Sequence, residues 1–297
     1  MEDIVKKEVV VAKFGGSSLS DSCQFNKVRE IVLADSRRRY IIPSAPGKRD
    51  VSDFKITDIL YLCHEHVQKG VPFDEVYKII VGRYLQLCEE LNITFDMLGS
   101  LNNLKEKIIN GASVDYVASR GEYLNGLILA EYLGVEFVDA AEIIIFKKSG
   151  QLDEEATYKA VSNRLSKVEK AVIPGFYGAT IKGEIKTFSR GGSDITGAII
   201  AKSVQAMVYE NWTDVSGFLM ADPRIVDNPK HIEEITYKEL RELSYMGANV
   251  FHEEAIFPVK KDGIPINIKN TNKPLDEGTY IVDDKSIIKV GDNHCCF

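Results

Sequence analysis

With 297 residues, 44% of them hydrophobic, the chain can bury a large core, which excludes a small module held together by disulfides or metal and suggests one big α/β domain or two lobes. A net charge of −7 and a pI near 5.4 exclude a surface built to track nucleic-acid phosphates. The five cysteines show neither CxxC spacing nor an even count, which excludes a disulfide framework or a paired-thiol zinc site and fits a reducing cytoplasm.

The opening stretch MEDIVKKEVVVAKFGG lacks the long apolar core of a signal peptide. No apolar run approaches the roughly 18 residues that span a bilayer, so a soluble, cytoplasmic protein without membrane contact is expected. EVVVAKFGG predicts a buried strand that hands over to a glycine loop, and RYIIPSAPGK repeats the plan. Between them, SRRR at 36–39 reads as a solvated helix end. Residues 53–134 carry apolar positions at helical spacing in four stretches, which predicts a helical insertion or lid. Its HEH at 64–66 is not expected to bind metal, because residues two apart on a helix do not face each other. VEFVDAAEIII, AVIPGFYGA, AMVYENWTDV and IPINIKN predict further strands, with SDITGAIIAKSV and ITYKELRELSYMGA as helices among them. This alternation implies an α/β sandwich. No internal repeat or flexible linker is visible, and IIKVGDNHCCF reads as a frayed tail.

Four loops fall at the predicted carboxyl ends of strands, the edge where ligands collect in open α/β sheets: KFGGSS (13–18), SAPGK (44–48), SRGGSD (189–194) and TDVSGFLMADPR (213–224). In the third, Gly191 and Gly192 let the backbone approach a ligand, Ser193 or Asp194 is expected to cap the following helix, and Arg190 adds a bidentate fork. Such a helix start suits a phosphate or a carboxylate, although a well-capped helix after a glycine turn accounts equally for this segment alone. None of the loops is a GxxxxGK[ST] sequence, and no strand-linked GxGxxG is present. Four such loops in one chain fit phosphoryl transfer, which needs several N–H nests and cations around one anion.

The strings VVAKFGGSSL, SRGEYL, FSRGGSDITGAIIA and TDVSGFLMADPRIV, in this order and spacing, resemble the aspartate kinases of the amino-acid kinase superfamily over residues 8–282 or so. The resemblance implies a three-layer αβα sandwich with a mainly parallel central sheet, carbamate kinase-like, with a helical insertion at 53–134. It also implies one domain over 1–297: an aspartate-side lobe at about 1–185, a nucleotide-side lobe at about 186–285 and a tail at 286–297. The implied reaction moves the γ-phosphoryl of ATP, with Mg²⁺ held mainly by the nucleotide phosphates and no protein metal site, to the β-carboxylate of L-aspartate. That is the first step towards lysine, threonine and methionine. The alternatives are a sister kinase acting on glutamate or acetylglutamate, and a catalytically silent protein that binds ATP and aspartate.

By the same resemblance, Lys13, Asp194 and Arg190 are the catalytic candidates. Lys13, Phe14, Gly15, Gly16, Ser17, Thr213, Asp214, Leu219, Asp222, Arg224 and Asn249 are the nucleotide candidates. Ser44, Thr57, Glu122, Arg190, Gly191, Gly192 and Ser193 are expected to receive L-aspartate, with Arg190 on a carboxylate and Glu122 on the ammonium. Asn249 stands where the family more commonly has a lysine, and Arg224, Lys260 and Lys269 are candidates to replace that charge. A homodimer is implied. Many family members continue into regulatory ACT domains, so either an unregulated enzyme or a catalytic fragment is expected.

Overall fold

The computed structural model describes residues 8–189, 191–221, 226–227, 229–245 and 253–283. Strand β1 (Val10–Phe14) enters a single 3-10 turn (Gly16–Leu19), helix α1 (Ser22–Ala34) and β2 (Arg38–Pro43). Four helices follow: α2 (Ile56–Gln68), α3 (Asp74–Glu90), α4 (Met97–Ile109) and α5 (Val114–Leu133). Next come β3 (Glu136–Phe137), α6 (Ala140–Ile143), β4 (Ile145–Phe146), α7 (Glu154–Leu165) and β5 (Ala171–Val172). After β6 (Tyr177–Thr180) and β7 (Ile185–Thr187), the chain forms α8 (Gly192–Ser203) and β8 (Val208–Thr213). It continues through β9 (Phe218–Leu219), β10 (His231–Ile232), β11 (Glu234–Thr236), α9 (Tyr237–Tyr245), α10 (Glu253–Lys260), β12 (Ile266–Asn270) and β13 (Thr279–Val282).

Eight strands make one sheet in the order β11–β13–β12–β8–β1–β2–β5–β3, and every neighbouring pair is parallel except β12 with β13. The expected α/β architecture with a mainly parallel sheet is therefore what the chain forms. Helices cover both faces, so the central strands are buried on both sides and β1 reads as a near-continuous apolar run. Alternation along β1 sends Val9 and Val11 into one core, with Tyr40, Ile42, Tyr209 and the apolar side of α8. Ala12 and Phe14 enter the other core, with Ile41, Trp212 and side chains from α1 to α5. Full burial of a side chain such as Phe14 is worth about 2–3 kcal/mol, so each face of the strand is separately anchored.

The structure changes three sequence expectations. The SRRR run is not a solvated helix end: α1 stops at Ala34, and Arg38 opens β2 with its guanidinium on buried Glu210 at 2.7 and 3.0 Å. Glu210 also accepts from the Trp212 indole at 2.8 Å, and Arg38 lies over that ring. A carboxylate on β8 two strands away thus makes an arginine tolerable inside the sheet. VEFVDAAEIII is not one strand, because Asp139 accepts from the Ala141 N–H and caps the short helix α6 between β3 and β4. Within 53–134, α5 packs directly on β2, β3 and β5, so the last of the four predicted helices is a layer of the sandwich. Among the described residues, no helix is long and apolar enough to cross a membrane.

Candidate active site

Parallel pairing aligns the carboxyl ends of β2, β1, β8 and β12, with Phe14 beside Pro43 and Trp212, and Thr213 beside Asn270. Past this edge opens a cleft of about 530 Å³. Its wall comprises Gly15, Gly16 and Ser17 after β1, Ser44 to Lys48 after β2, Lys55 and Thr57 at the start of α2, Glu122 on α5, and Thr213 and Asp214 after β8. The KFGGSS and SAPGK loops meet here: Gly47 N–H donates to Gly16 O at 2.9 Å. A Cβ on Gly47 would lie 2.5 Å from the Gly16 carbonyl carbon, which explains why glycine stands at that position.

Lys13 points to the α8 face of the sheet, as the alternation along β1 requires. Its Nζ lies 2.6 Å from Oδ1 of Asp194 in the first turn of α8 and 3.3 Å from Oδ1 of Asn211 on β8. Asn211 Nδ2 donates to the same Asp194 oxygen at 3.1 Å, closing a triangle. A Cβ on Gly15 would sit 3.7 Å from the Lys13 ammonium, so this charge lies directly behind the glycine loop. The expectation that Ser193 or Asp194 caps α8 is corrected here. The helix begins at Gly192, its cap is Gly191 in the left-handed conformation (φ 57°), and no side chain caps it. Asp194 lies inside the first turn, where the helix dipole favours a carboxylate and where it faces Lys13. Gly192 is required too, since a Cβ there would lie 2.7 Å from the Phe176 ring. Ser193 is buried against Gly175. Gly191, Gly192 and Ser193 are not in the cleft wall.

Glu122 is brought to the cleft by tight packing of α5. A Cβ on Gly121 would lie 2.9 Å from that of Ala45, and Asn125 Nδ2 donates to Ser44 O at 2.6 Å. Glu122 is 6% exposed, and its buried Oε2 has no hydrogen-bond partner. Burial pushes its pKa up to about 8, against the opposing pull of a hydrogen bond from the Ala45 backbone and the charge of Arg120. An orphaned acid of this kind awaits a donor, and a cationic group from a ligand is the partner that its chemistry fits.

The other sequence candidates fall elsewhere. The Phe14 side chain is fully buried against Trp212, so only its backbone reaches the loop. Leu219 lies on β9, outside the cleft wall. Arg190, Asp222, Arg224 and Asn249 lie outside the described residues. Of the candidates to replace the missing lysine, Lys260 sits over the Tyr237 ring, and Lys269 donates to Asp276 O at 2.9 Å with its ammonium over Trp212. Sequence reading missed Asn211, Lys48 and Lys55. The signal for Asn211 was a polar residue at an alternating, core-facing position of the central run AMVYENWTDV.

Comparison with known proteins bears on this geometry. The amino acid kinase family profile matches residues 8–270. The chain is 38% identical to aspartokinase 3 of Bacillus subtilis over 93% of its own length and 64% of the relative's. It superposes on the crystal structure of Clostridium acetobutylicum aspartate kinase with a TM-score of 0.90 and 62% identity, covering 94% of this chain and 63% of that one. On E. coli aspartokinase III in complex with aspartate and ADP the TM-score is 0.80 at 29% identity, over 93% of this chain and 65% of that one. The chain therefore spans slightly less than two thirds of the length of these relatives.

Proposed function

The chain belongs to the amino acid kinase family, and from that premise we propose that it transfers the terminal phosphoryl group of Mg-ATP to the β-carboxylate of L-aspartate, giving an acyl phosphate and ADP. The observation that carries this reading is the single cleft that joins the orphaned Glu122 carboxyl to the glycine loop backed by Lys13 and Asp194. One end offers an acid to an amino group, the other offers positive potential to a phosphate. The resemblance to aspartate kinases in three comparisons supports the choice of amino acid.

The acceptor carboxylate, with an ordinary pKa of about 3.9, is already ionised at neutral pH and needs no general base. A carboxylate oxygen forms a bond to the γ-phosphorus while the bond from that phosphorus to the bridging oxygen breaks, and the electron pair leaves on ADP. The obstacle is repulsion between two anions, so the catalyst consists of positioning groups and cations. Lys13 offsets the charge developing on the transferring group, and Asp194 with Asn211 holds its ammonium in place. Glu122 receives the substrate ammonium, Arg190 a substrate carboxylate, and Ser44 and Thr57 complete the pocket. Thr213 and Asp214, in the cleft wall after β8, would face the nucleotide. Mg²⁺ would be held mainly by the nucleotide phosphates, with Asp214 in the cleft wall able to act as a protein ligand. When bound, that ion neutralises phosphate charge. A division into an aspartate side and a nucleotide side, a homodimer and a cytoplasmic setting belong to the same proposal.

The test is ADP release from Mg-ATP with L-aspartate, with L-glutamate and with no acceptor. Release that depends on aspartate and disappears in Arg190→Ala supports the reading. Release with glutamate alone overturns the assignment of acceptor. Nucleotide binding without release for any acceptor indicates a silent binding protein.

A further inference from the structure

Arg83 lies outside the cleft, in the middle of α3, yet its buried guanidinium holds three points on two of the segments that build it. Nη1 donates to Oδ2 of Asp53 at 2.7 Å; Nη2 donates to Gly47 O at 2.9 Å and to Ser20 O at 3.1 Å. Ser20 ends the turn that follows the KFGG loop, and Gly47 is the residue pressed against Gly16. Asp53 is itself gripped from within its own loop by the Arg49 N–H and guanidinium. Burial alone would raise the Asp53 pKa; the bonds from Arg49 and Phe54 and the charge of Arg83 hold it well below the ordinary carboxylate range, so the bracket is a permanent ion pair.

The segment fixed by this bracket, 47–55, carries Lys48 and Lys55, both in the cleft wall and neither ion-paired with a described residue. A buried arginine is a costly way to gain stability, since a well-packed apolar side chain of similar volume often serves as well. Its use here fits a need for direction: one planar fork can hold two carbonyls and a carboxylate in a fixed relation, which no apolar group can do.

Resting on the kinase reading, we infer that Arg83 is a positioning residue for phosphoryl transfer: it fixes the 47–55 loop against Gly16 so that Lys48 and Lys55 face the anionic reactants. The helical insertion thereby contributes to the reaction through a side chain that touches neither substrate. The two loop lysines supply positive potential on the cleft wall, in addition to that of Lys13 behind the glycine loop.

The test combines kinetics with hydrogen exchange on the whole chain. Arg83→Gln is expected to lower kcat at saturating Mg-ATP and L-aspartate by roughly 30- to 100-fold, the scale of a misplacement of about 1 Å. Arg83→Lys, which keeps the charge but not the fork, should recover only part of that loss. Lys48→Ala should cost about tenfold in the native background and less than about twofold once Arg83 is glutamine, because the lysine is then already misplaced. Amide exchange across 48–55 should quicken by at least tenfold or so in Arg83→Gln. If that variant does not fold, Asp53→Asn and Arg83→Lys carry the same measurements. A variant that melts lower but keeps kcat, losses from Arg83→Gln and Lys48→Ala that simply multiply, or unchanged exchange in 48–55 would each overturn the inference. If the unmodified protein releases no ADP with aspartate, the activity reading fails by itself, and the exchange measurement still decides whether Arg83 fixes the loop.

Discussion

The ammonium of Lys13 and the carboxylate of Asp194 meet at 2.6 Å across the junction of β1 and α8, and Asn211 bonds to both. The three side chains come from three elements that touch only once the sheet and the α8 layer are assembled. Lys13 is therefore held in place before any substrate arrives, which is the condition for a cation to stabilise charge at little reorganisation cost.

Loss of this cation should be expensive. Lys13→Met is expected to lower kcat for aspartate-dependent ADP release by about 10²- to 10³-fold, the usual cost of one preorganised donor. Asp194→Asn leaves the ammonium without its counter-charge and should show a loss of similar order. The double variant should be little worse than either single one, because the two act as a unit. Losses that multiply would mean that Asp194 has a separate task.

Glu122 predicts a pH dependence with a definite sign. Its pKa is about 8 in the fold against the ordinary 4.5, so between those values the folded protein holds a proton that the unfolded chain has released. Stability then falls as pH rises, by roughly 1.4 kcal/mol per pH unit across that window. Glu122→Gln removes the dependence. It should melt near the unmodified protein at pH 5 and several degrees above it at pH 8, while its KM for L-aspartate rises. Parallel melting curves for the two proteins from pH 5 to 8 would contradict the assignment.

Gly47→Ala tests the contact between the two loops. The added carbon would fall 2.5 Å from the Gly16 carbonyl carbon and 2.8 Å from Ser17 N, both backbone atoms that cannot swing aside. Activity should fall at least tenfold or so through displacement of the glycine loop. Gly82→Ala, at an open position in the middle of α3, should leave activity intact and raise the melting temperature by a few degrees, because alanine is the better helix former.

The Arg38–Glu210 pair separates stability from chemistry. It is buried on the face of the sheet turned away from α8, with Trp212 bonded to the same carboxylate. Glu210→Gln should destabilise by about 3–5 kcal/mol, read as a lower denaturant midpoint, because it strands a buried guanidinium. The folded fraction should keep its KM for both substrates; a changed KM would place Glu210 in the chemistry.

What was legible in the sequence follows from local physics. Strand β1 was visible because burial on both faces leaves a near-continuous apolar run, β8 and β12 because apolar side chains recur between their polar ones, and the loop glycines because a backbone that must pass close to another has no room for Cβ. Lys13 and Glu122 were reached through motif resemblance, and their burial could not be read from neighbouring residues. Asn211 stayed hidden because nothing in the run AMVYENWTDV shows that Lys13 and Asp194, far away in the chain, meet its side chain. Arg38 was misread because three arginines in a row look solvated unless Glu210, far along the chain, is known to lie beside them. The cap of α8 failed for a related reason: Asp194 has the chemistry of a cap, but a lysine from another strand makes the stronger claim on it. Long-range partners are what a local reading cannot supply.

The alternation of β1 between two cores also constrains how such a chain can change over evolutionary time. A one-residue deletion in Val10–Phe14 would turn Lys13 from the α8 side into the apolar layer opposite and bring a hydrophobic side chain round to Asp194. Errors of register and errors of chemistry are therefore one lesion in this strand, and length variation among descendants is expected to collect in segments such as the Lys147–Gly150 turn, where neither core takes part.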